Sequence, residues 1–471
     1  MKFNKLTMLP VAAALLVATT LGSCNIYKKY ETPTDSQLTR EYADAVEAGT
    51  DSTTFGNLRW QEVFTDPVLV DFINQALTNN TNLKNAKLNV DIAHAQLKGA
   101  KLAYLPSVAL APSGSMSRFF DVPQPYGALN DWSKSYNIPL AVSWEIDVFG
   151  KLLNSKRGAQ MQVEQSEDYA QAVRSQIIAG VANAYYAISM LEAQLQISRE
   201  TQQLWAKSVQ TMKDLKEGGK TTEVAVVQSE AQYYGIVASI TDLEVSLDEM
   251  YNTLSLLLGV MPQKWTVSPD AQLVAPAIMR SAIPMRELAA RPDVSAAERS
   301  LAVAYYSTNS ARAAFYPGLS ITANGGFTDL LGSLIMNPGK FFINLGASLA
   351  APLFSRGANI SRLEAAKAQQ KQALNNFEYT LMSASAEVSD AMTLYEKSAE
   401  KQVALDQQAE KLAKAVDYTQ DLLKVGGYNT TYLDVLTAQQ GLLQAQIGAV
   451  TARNAQNRAL INLYQSLGGG R

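Results

Sequence analysis

The sequence predicts an α+β membrane protein built by internal duplication, with four strands and two long helical hairpins per chain. Three observations carry that prediction. Tyr104-Leu105-Pro106 recurs as Phe315-Tyr316-Pro317 at an offset of 211 residues, Asp147-Val148-Phe149 as Pro352-Leu353-Phe354 at 205, and Leu258-Gly259 as Leu467-Gly468 at 209. Repetition at a near-constant spacing marks a repeated structural unit. Segments 136–149 and 341–354 alternate with period 2 between apolar residues and small or polar ones, as a strand with two unlike faces does. Lys151 to Glu217 runs 67 residues without a proline, about 100 Å of helix at 1.5 Å per residue.

Composition narrows the function classes. Charged residues make up 18 % of the 471, against a usual ~25 %, and the mean hydropathy is −0.07. The 40 basic and 43 acidic residues leave a net charge of −3, so no basic surface points to nucleic acid. One cysteine, Cys24, and one histidine, His94, exclude an intrachain disulfide and a Cys/His zinc site. No enzyme, cofactor or metal site is expected. His94 lies in a helical segment with no chemical partner that the sequence identifies.

The elements follow in order. Residues 1–23 form a lipoprotein signal peptide. Two lysines precede an uncharged, mostly apolar run from Leu6 to Leu21, shorter than the ~20 residues of a membrane helix. It ends in Leu21-Gly22-Ser23-Cys24, which resembles the bacterial lipobox, so Cys24 is expected to be lipidated on its sulfur and its new N-terminus. Acyl chains contribute about 0.8 kcal/mol per buried CH₂. Residues 24–66 are the lipidated N-terminal segment.

The first repeat spans 67–259. A helix is expected over 67–104, with Asp66 as its N-cap and Pro67 in its first turn. Strands follow at 107–118 and 136–149, then a helical hairpin over 151–258. In the second strand Leu140, Val142, Trp144 and Ile146 share the apolar face expected to meet lipid, opposite Ala141, Ser143 and Glu145. A linker over 260–284 holds four prolines and cannot be one helix. The second repeat, 285–468, brings a helix, strands at 317–328 and 341–354, and a hairpin over 358–467. In that hairpin Phe377, Leu381, Ala384, Val388, Ala391, Tyr395, Ala399 and Val403, then Leu405, Ala409, Leu412 and Val416, step by three and four, as in a coiled coil. Gly218-Gly219 and Gly426-Gly427 end the long helices. Residues 469–471 read as a flexible tail.

Four membrane strands cannot close a barrel, because the smallest have eight. Open edges in lipid leave backbone groups unsatisfied at several kcal/mol each. The chain must therefore oligomerise in the membrane, and three copies give twelve strands.

The chain resembles the TolC-like outer-membrane factors, in the lipoprotein branch that includes OprM. The resemblance rests on Trp60-Gln61-Glu62-Val63-Phe64-Thr65-Asp66-Pro67, on Ser143 to Gly150, on Arg291-Pro292-Asp293-Val294 with Ala296-Ala297-Glu298, on Ala313-Ala314-Phe315-Tyr316-Pro317, on Leu363 to Gln369 and on Tyr432-Leu433-Asp434-Val435-Leu436. It covers nearly all of 24–468. It implies a homotrimer with a 12-stranded outer-membrane β-barrel continuous with a periplasmic α-helical barrel, and an equatorial region from the N-terminal segment and the linker. It implies a passive exit duct for small molecules, joined through a periplasmic adaptor protein to an inner-membrane transporter. It also implies a periplasmic gate at Asp434. The family's second acidic position is Thr437 here, so one acidic ring replaces two. Gly218, Gly219, Gly426 and Gly427 are candidates for adaptor docking, and Glu145 and Asp147 for lining the lumen. A structural or adhesive coiled-coil surface lipoprotein and a type I protein-secretion duct are the alternatives. Matched amphipathic strands in a duplication speak against an adhesin stalk.

Overall fold

The computed structural model describes residues 27–48, 55–117, 132–268, 273, 285–330, 340–425 and 431–470. Cys24, Gly426, Gly427 and most of the linker lie outside the described residues. In chain order the elements are α1 Gln37–Ala48, α2 Trp60–Val63, α3 Pro67–Asn79, α4 Thr81–Leu102, β1 Ser107–Leu110, β2 Ser113–Ser117, β3 Ser133–Ile146, α5 Lys151–Glu217 and α6 Glu223–Leu258. After the linker come α7 Met285–Ala289, α8 Pro292–Ala313, β4 Gly318–Leu330, β5 Lys340–Ala350, α9 Ala358–Val425 and α10 Tyr432–Ser466. They fall into two compact units.

The first unit takes in Asp91–Gln165, Glu298–Asn376 and the chain up to Thr32. Its sheet is antiparallel throughout, in the order β1-β3-β4-β5, with β2 also on β3. β1 and β2 keep one register against β3, so they are a single strand path interrupted at Pro112. Two junctions end earlier than expected. β3 stops at Ile146 because Asp147 turns to cap α5, its carboxylate accepting the Leu153 N–H at 2.6 Å. β5 stops at Ala350, and Arg356 (φ 50°) and Gly357 (φ 78°) redirect the chain into α9. Pro139 sits inside β3, paired with β4 on one side and facing the break between β1 and β2 on the other, where its carbonyl accepts the Ala111 N–H at 3.1 Å, an interruption of the kind to which strand prolines are confined. Gly326 answers it across β4, since a Cβ there would collide with the Ile138 carbonyl.

The second unit takes in Pro33–Val90, Ser166–Ala297 and Phe377–Arg471. The single helix expected over 67–104 is two, broken at Asn80. The Asn80 carboxamide oxygen accepts the N–H groups of Asn82 (2.9 Å) and Leu83 (3.2 Å), and its nitrogen donates to the Leu257 carbonyl at 2.9 Å. Asp66 caps α3 as expected, accepting the Val68 N–H at 2.9 Å, and its other oxygen accepts the Tyr185 hydroxyl at 2.7 Å. Burial pushes this carboxyl up, but the bonds from Tyr185, Ser268 and the backbone hold it below the usual range. Tyr42 packs edge-on against Phe377 at 5.0 Å, and Phe55 and Phe64 against Tyr464 at 5.5 and 5.9 Å.

The seam of α9 follows a strict four-three repeat. Phe377, Leu381, Ala384, Val388 and Ala391 are buried, and the line continues through Tyr395, Ser398, Gln402, Leu405, Leu412 and Val416. The expected stripe erred at Val403, which is exposed. The seam there passes through buried Ser398 and through Gln402, whose side chain accepts from Gln456 at 2.6 Å. Opposite, Gly441 and Gly448 of α10 receive Leu412 and Leu405, which a Cβ would meet at 3.2 and 3.3 Å.

The expected flexible tail is buried as far as it is described. Gly468 (φ 78°) and Gly470 (φ 91°) adopt left-handed conformations. The Gly470 N–H donates to the Tyr464 hydroxyl at 2.9 Å, Gln171 donates to the Gly470 carbonyl at 3.0 Å, and Ser175 donates to the Gly469 carbonyl. A Cβ at Gly469 would lie 2.5 Å from the Tyr464 ring.

Candidate functional sites on the sheet and at the hairpin tips

The two faces of the sheet differ sharply. The register aligns Val142 with Val108 and Ala323, Leu140 with Leu110 and Gly325, Trp144 with Ile321, and Ile146 with Leu319. β5 extends the same face with Leu349, Leu345 and Ile343. Leu140 is 48 % exposed, Trp144 40 % and Leu345 76 %. A soluble protein rarely displays so broad an apolar surface. The opposite face carries hydroxyls and amides. Ser115 pairs with Ser135 and Ser320 with Ser348, both at 2.8 Å, and Ser107 donates to the Ser143 carbonyl at 3.1 Å. Glu145 lies there too and pairs with Lys151 at 2.8 Å. Cross-strand neighbours of one polarity keep each face continuous.

Aromatic side chains mark the end of the sheet where the strands meet the helices. The Trp144 indole donates to the Tyr104 carbonyl at 2.9 Å. Phe149 stacks on Tyr316 at 5.0 Å, their planes 12° apart.

In the second unit, α5 ends in a left-handed turn at Gly219 (φ 72°). The Gly219 N–H donates to the Lys216 carbonyl at 3.0 Å and the Lys220 N–H to the Leu215 carbonyl at 2.8 Å, the pairing that closes a helix C-terminus. Gly219 is needed for its backbone angle alone, since a Cβ there meets nothing within 4 Å. Gly218 has neither a positive φ nor a tight contact. Ion pairs join α5 to α6 near this tip: Lys216 with Glu223, and Lys213 with Glu230 at 2.8 Å.

Asp434 lies in the first turn of α10. Its carboxylate accepts the Thr431 N–H at 2.8 Å and the Thr431 hydroxyl at 2.9 Å. These two bonds hold its pKa below the ordinary carboxylate value. Thr437 is exposed and its hydroxyl donates to the Leu433 carbonyl at 2.8 Å. The position matching Asp434 in the first repeat is Ala225. His94 is exposed on α4. Among the described residues no group of histidine, cysteine, aspartate and glutamate could hold a metal ion, and no helix is long and apolar enough to cross a membrane.

Sequence reasoning missed Arg291. Its buried guanidinium donates to Asp293 at 2.7 Å, to Glu387 at 2.7 Å and to the Ser466 carbonyl at 2.9 Å, tying the start of α8 and the end of α10 to α9. Burial would lower its pKa, but the two carboxylates raise it. The Arg-Pro-Asp run was the only signal in the sequence.

Comparison with known proteins agrees with this geometry. The chain is 27 % identical over 463 residues to the cation efflux system protein CusC of Escherichia coli O6:H1, covering 96 % of this chain and 97 % of that protein. It is 28 % identical over 468 residues to the toluene efflux pump outer membrane protein TtgC of Pseudomonas putida, covering 96 % and 93 %. The solved structure of the outer-membrane channel OprN superposes with a TM-score of 0.82 at 26 % identity, over 95 % of this chain and 99 % of that one. The family model described as outer membrane efflux protein matches residues 72–260 and 283–469, one match on each repeat. The family match falls on each half of a duplicated chain and the superposition on an outer-membrane channel is nearly complete, so the chain belongs to the outer membrane efflux protein family.

Proposed function

We propose that the protein is the passive outer-membrane exit duct of a tripartite efflux pump, working as a homotrimer. The observation that carries this reading is the exposed apolar face of the sheet, bounded by the β1–β2 path and β5, whose outer edges pair with no strand among the described residues. In lipid such edges must be paired, and three chains of four strand paths supply the twelve strands of one barrel. Leu140, Val142, Trp144 and Ile146 then face lipid, and Ser143 and Glu145 a wet lumen. The channel relatives include a cation efflux system protein and a toluene efflux pump protein, so the cargo class proposed is small molecules. Export needs no chemistry from the duct itself.

The tips carry the remaining proposals. Gly219 shapes a turn that meets a periplasmic adaptor, with Gly218, Gly426 and Gly427 as further docking positions, and the adaptor links the duct to an inner-membrane transporter. Asp434, one per chain, forms a single acidic ring that favours cations. Cys24 anchors the mature chain in the outer membrane, and a fatty-acid label present in wild type and absent in Cys24→Ala checks that anchor.

The sheet gives the deciding experiment. An arginine near the bilayer midplane on the lipid face costs about 2–4 kcal/mol. Val142→Arg should therefore reduce the assembled species in outer membranes, while Ser143→Arg leaves it in place. The reverse pattern would turn the barrel inside out. The mass of the detergent-solubilised wild type should equal three chains, and a folded monomer would end the reading.

A further inference from the structure

Two exposed side chains in the first unit have no place in the duct as described so far. Leu353 is 96 % exposed and Phe354 85 % exposed, in the segment between β5 and α9. The duplication supplies their explanation. Phe354 occupies in the second repeat the position of Phe149 in the first, by the same offset of 205 that aligns Asp147-Val148-Phe149 with Pro352-Leu353-Phe354. Phe149 is seated: its ring stacks on Tyr316, in the turn between α8 and β4. Tyr316 corresponds, by the offset of 211, to Leu105 in the turn between α4 and β1. Leu105 is 61 % exposed.

The ring and the seat that the first repeat brings together thus recur as an exposed ring and an exposed seat at opposite edges of the sheet. We infer that Phe354 of one copy seats on the Tyr104-Leu105-Pro106 turn of a second copy of this chain, locking the junction between β5 and the β1–β2 path. The inference rests on the homotrimer proposed above and names the contact that closes it.

The strand register supports the same assignment. Across β3 and β4, Trp144 lies opposite Ile321 and Leu140 opposite Gly325. Carried over by the two offsets, these pairs become Leu349 of one copy opposite Leu110 of the next, and Leu345 opposite Gly114. All four belong to the apolar face, so the new pairing continues that face without a polarity error. The two hairpins within the chain differ from one another by two residues of register, a step that preserves the face. Both edge paths are exposed along nearly their whole length, as strands awaiting a partner are. Tyr104 already carries the Lys156 ammonium 5.8 Å from its ring centroid, which leaves Leu105 as the apolar seat.

The test is a cysteine pair in the full chain. Leu105→Cys with Phe354→Cys, oxidised or treated with a short bismaleimide in native membranes, should give covalent species of two and three chains in denaturing gels. Each single variant, which retains Cys24, should give none. Phe149→Cys with Tyr316→Cys is the control and should link within one chain. A three-chain particle in which the control pair links and the Leu105–Phe354 pair does not overturns the seat while leaving the trimer intact. A one-chain particle overturns the trimer itself. Protection offers an independent readout. In the assembled particle Phe354→Cys should react at least tenfold more slowly with a lipid-soluble maleimide than Leu349→Arg/Phe354→Cys, whose seam is opened by charge. Equal, rapid labelling of both would place Phe354 in lipid and overturn the inference.

Discussion

In the first hairpin, α6 buries an apolar line through Ile236, Ile240, Leu247, Tyr251 and Leu254, and exposed ion pairs to α5 are added to it. α6 carries six acidic residues and no basic one, and three of them reach bases on α5: Glu223 to Lys216, Glu230 to Lys213, and Glu244 to Arg199 at 2.7 Å. In the second, shape joins α9 to α10. α10 carries one acidic and two basic residues, and its Gly441 and Gly448 take Leu412 and Leu405 into the space a side chain would fill. The duplication preserved the path of the chain while the chemistry of the seam diverged. Exposed ion pairs are weak and screened by salt, whereas a close-packed seam resists any change of volume. The second hairpin should therefore tolerate less substitution and the first should respond more to ionic strength.

The largest effect is expected from glycine. Gly448→Leu should destabilise the α9–α10 hairpin by about 1–3 kcal/mol through overpacking. In the first hairpin Gly235 of α6 has nothing within 4 Å of a Cβ, and Gly235→Ala should stabilise by roughly 0.5–1 kcal/mol. Hydrogen-exchange protection of each hairpin measures both, and equal effects would erase the contrast. Gly219→Ala comes next. Its left-handed backbone should cost about 1–2 kcal/mol, seen as faster exchange at the first tip, with Gly218→Ala much milder. Arg199→Ala should cost only about 0.2–1 kcal/mol, and that loss should shrink at high salt. No salt dependence is expected for the Gly448 variant.

The smallest structural effect belongs to Asp434. Its pKa is lowered in the folded chain, so its cap stabilises α10 above the unfolded carboxylate value of ~3.9 and is lost as pH falls through the folded value. Tip amides should lose protection on acidification in wild type and much less in Asp434→Asn. The same residue carries the gate proposal. Asp434→Ala should weaken cation selectivity in planar bilayers, and unchanged selectivity would leave Asp434 as a cap alone.

The strands, hairpins and duplication were legible because each writes a long period into the sequence. Val142 and its neighbours announce an apolar face through alternation alone, and the strand register carries that face across the sheet. What escaped depends on the facing element. Asn80 breaks a helix because its carboxamide reaches Leu257, far along the chain. Ser398 and Gln402 belong to the seam although polar, so an apolar template chose Val403 instead. A glycine reads as a helix breaker unless the leucine opposite is known, which hid Gly441 and Gly448. Gly468 to Gly470 read as a flexible end for the same reason, because nothing in three glycines names the tyrosine and serine that hold them. Of the candidate site residues, Asp434 was chosen by its place at the start of α10, and its engagement by Thr431 depends on the local turn rather than on any pattern in the sequence.

That buried glycine run has a consequence in time. Gly469 and Gly470 follow every helix that builds their seat, and Ser175 and the Tyr464 hydroxyl keep those bonds in reserve until the run arrives. The glycine run therefore fastens helices that precede it in the chain, and it cannot nucleate them.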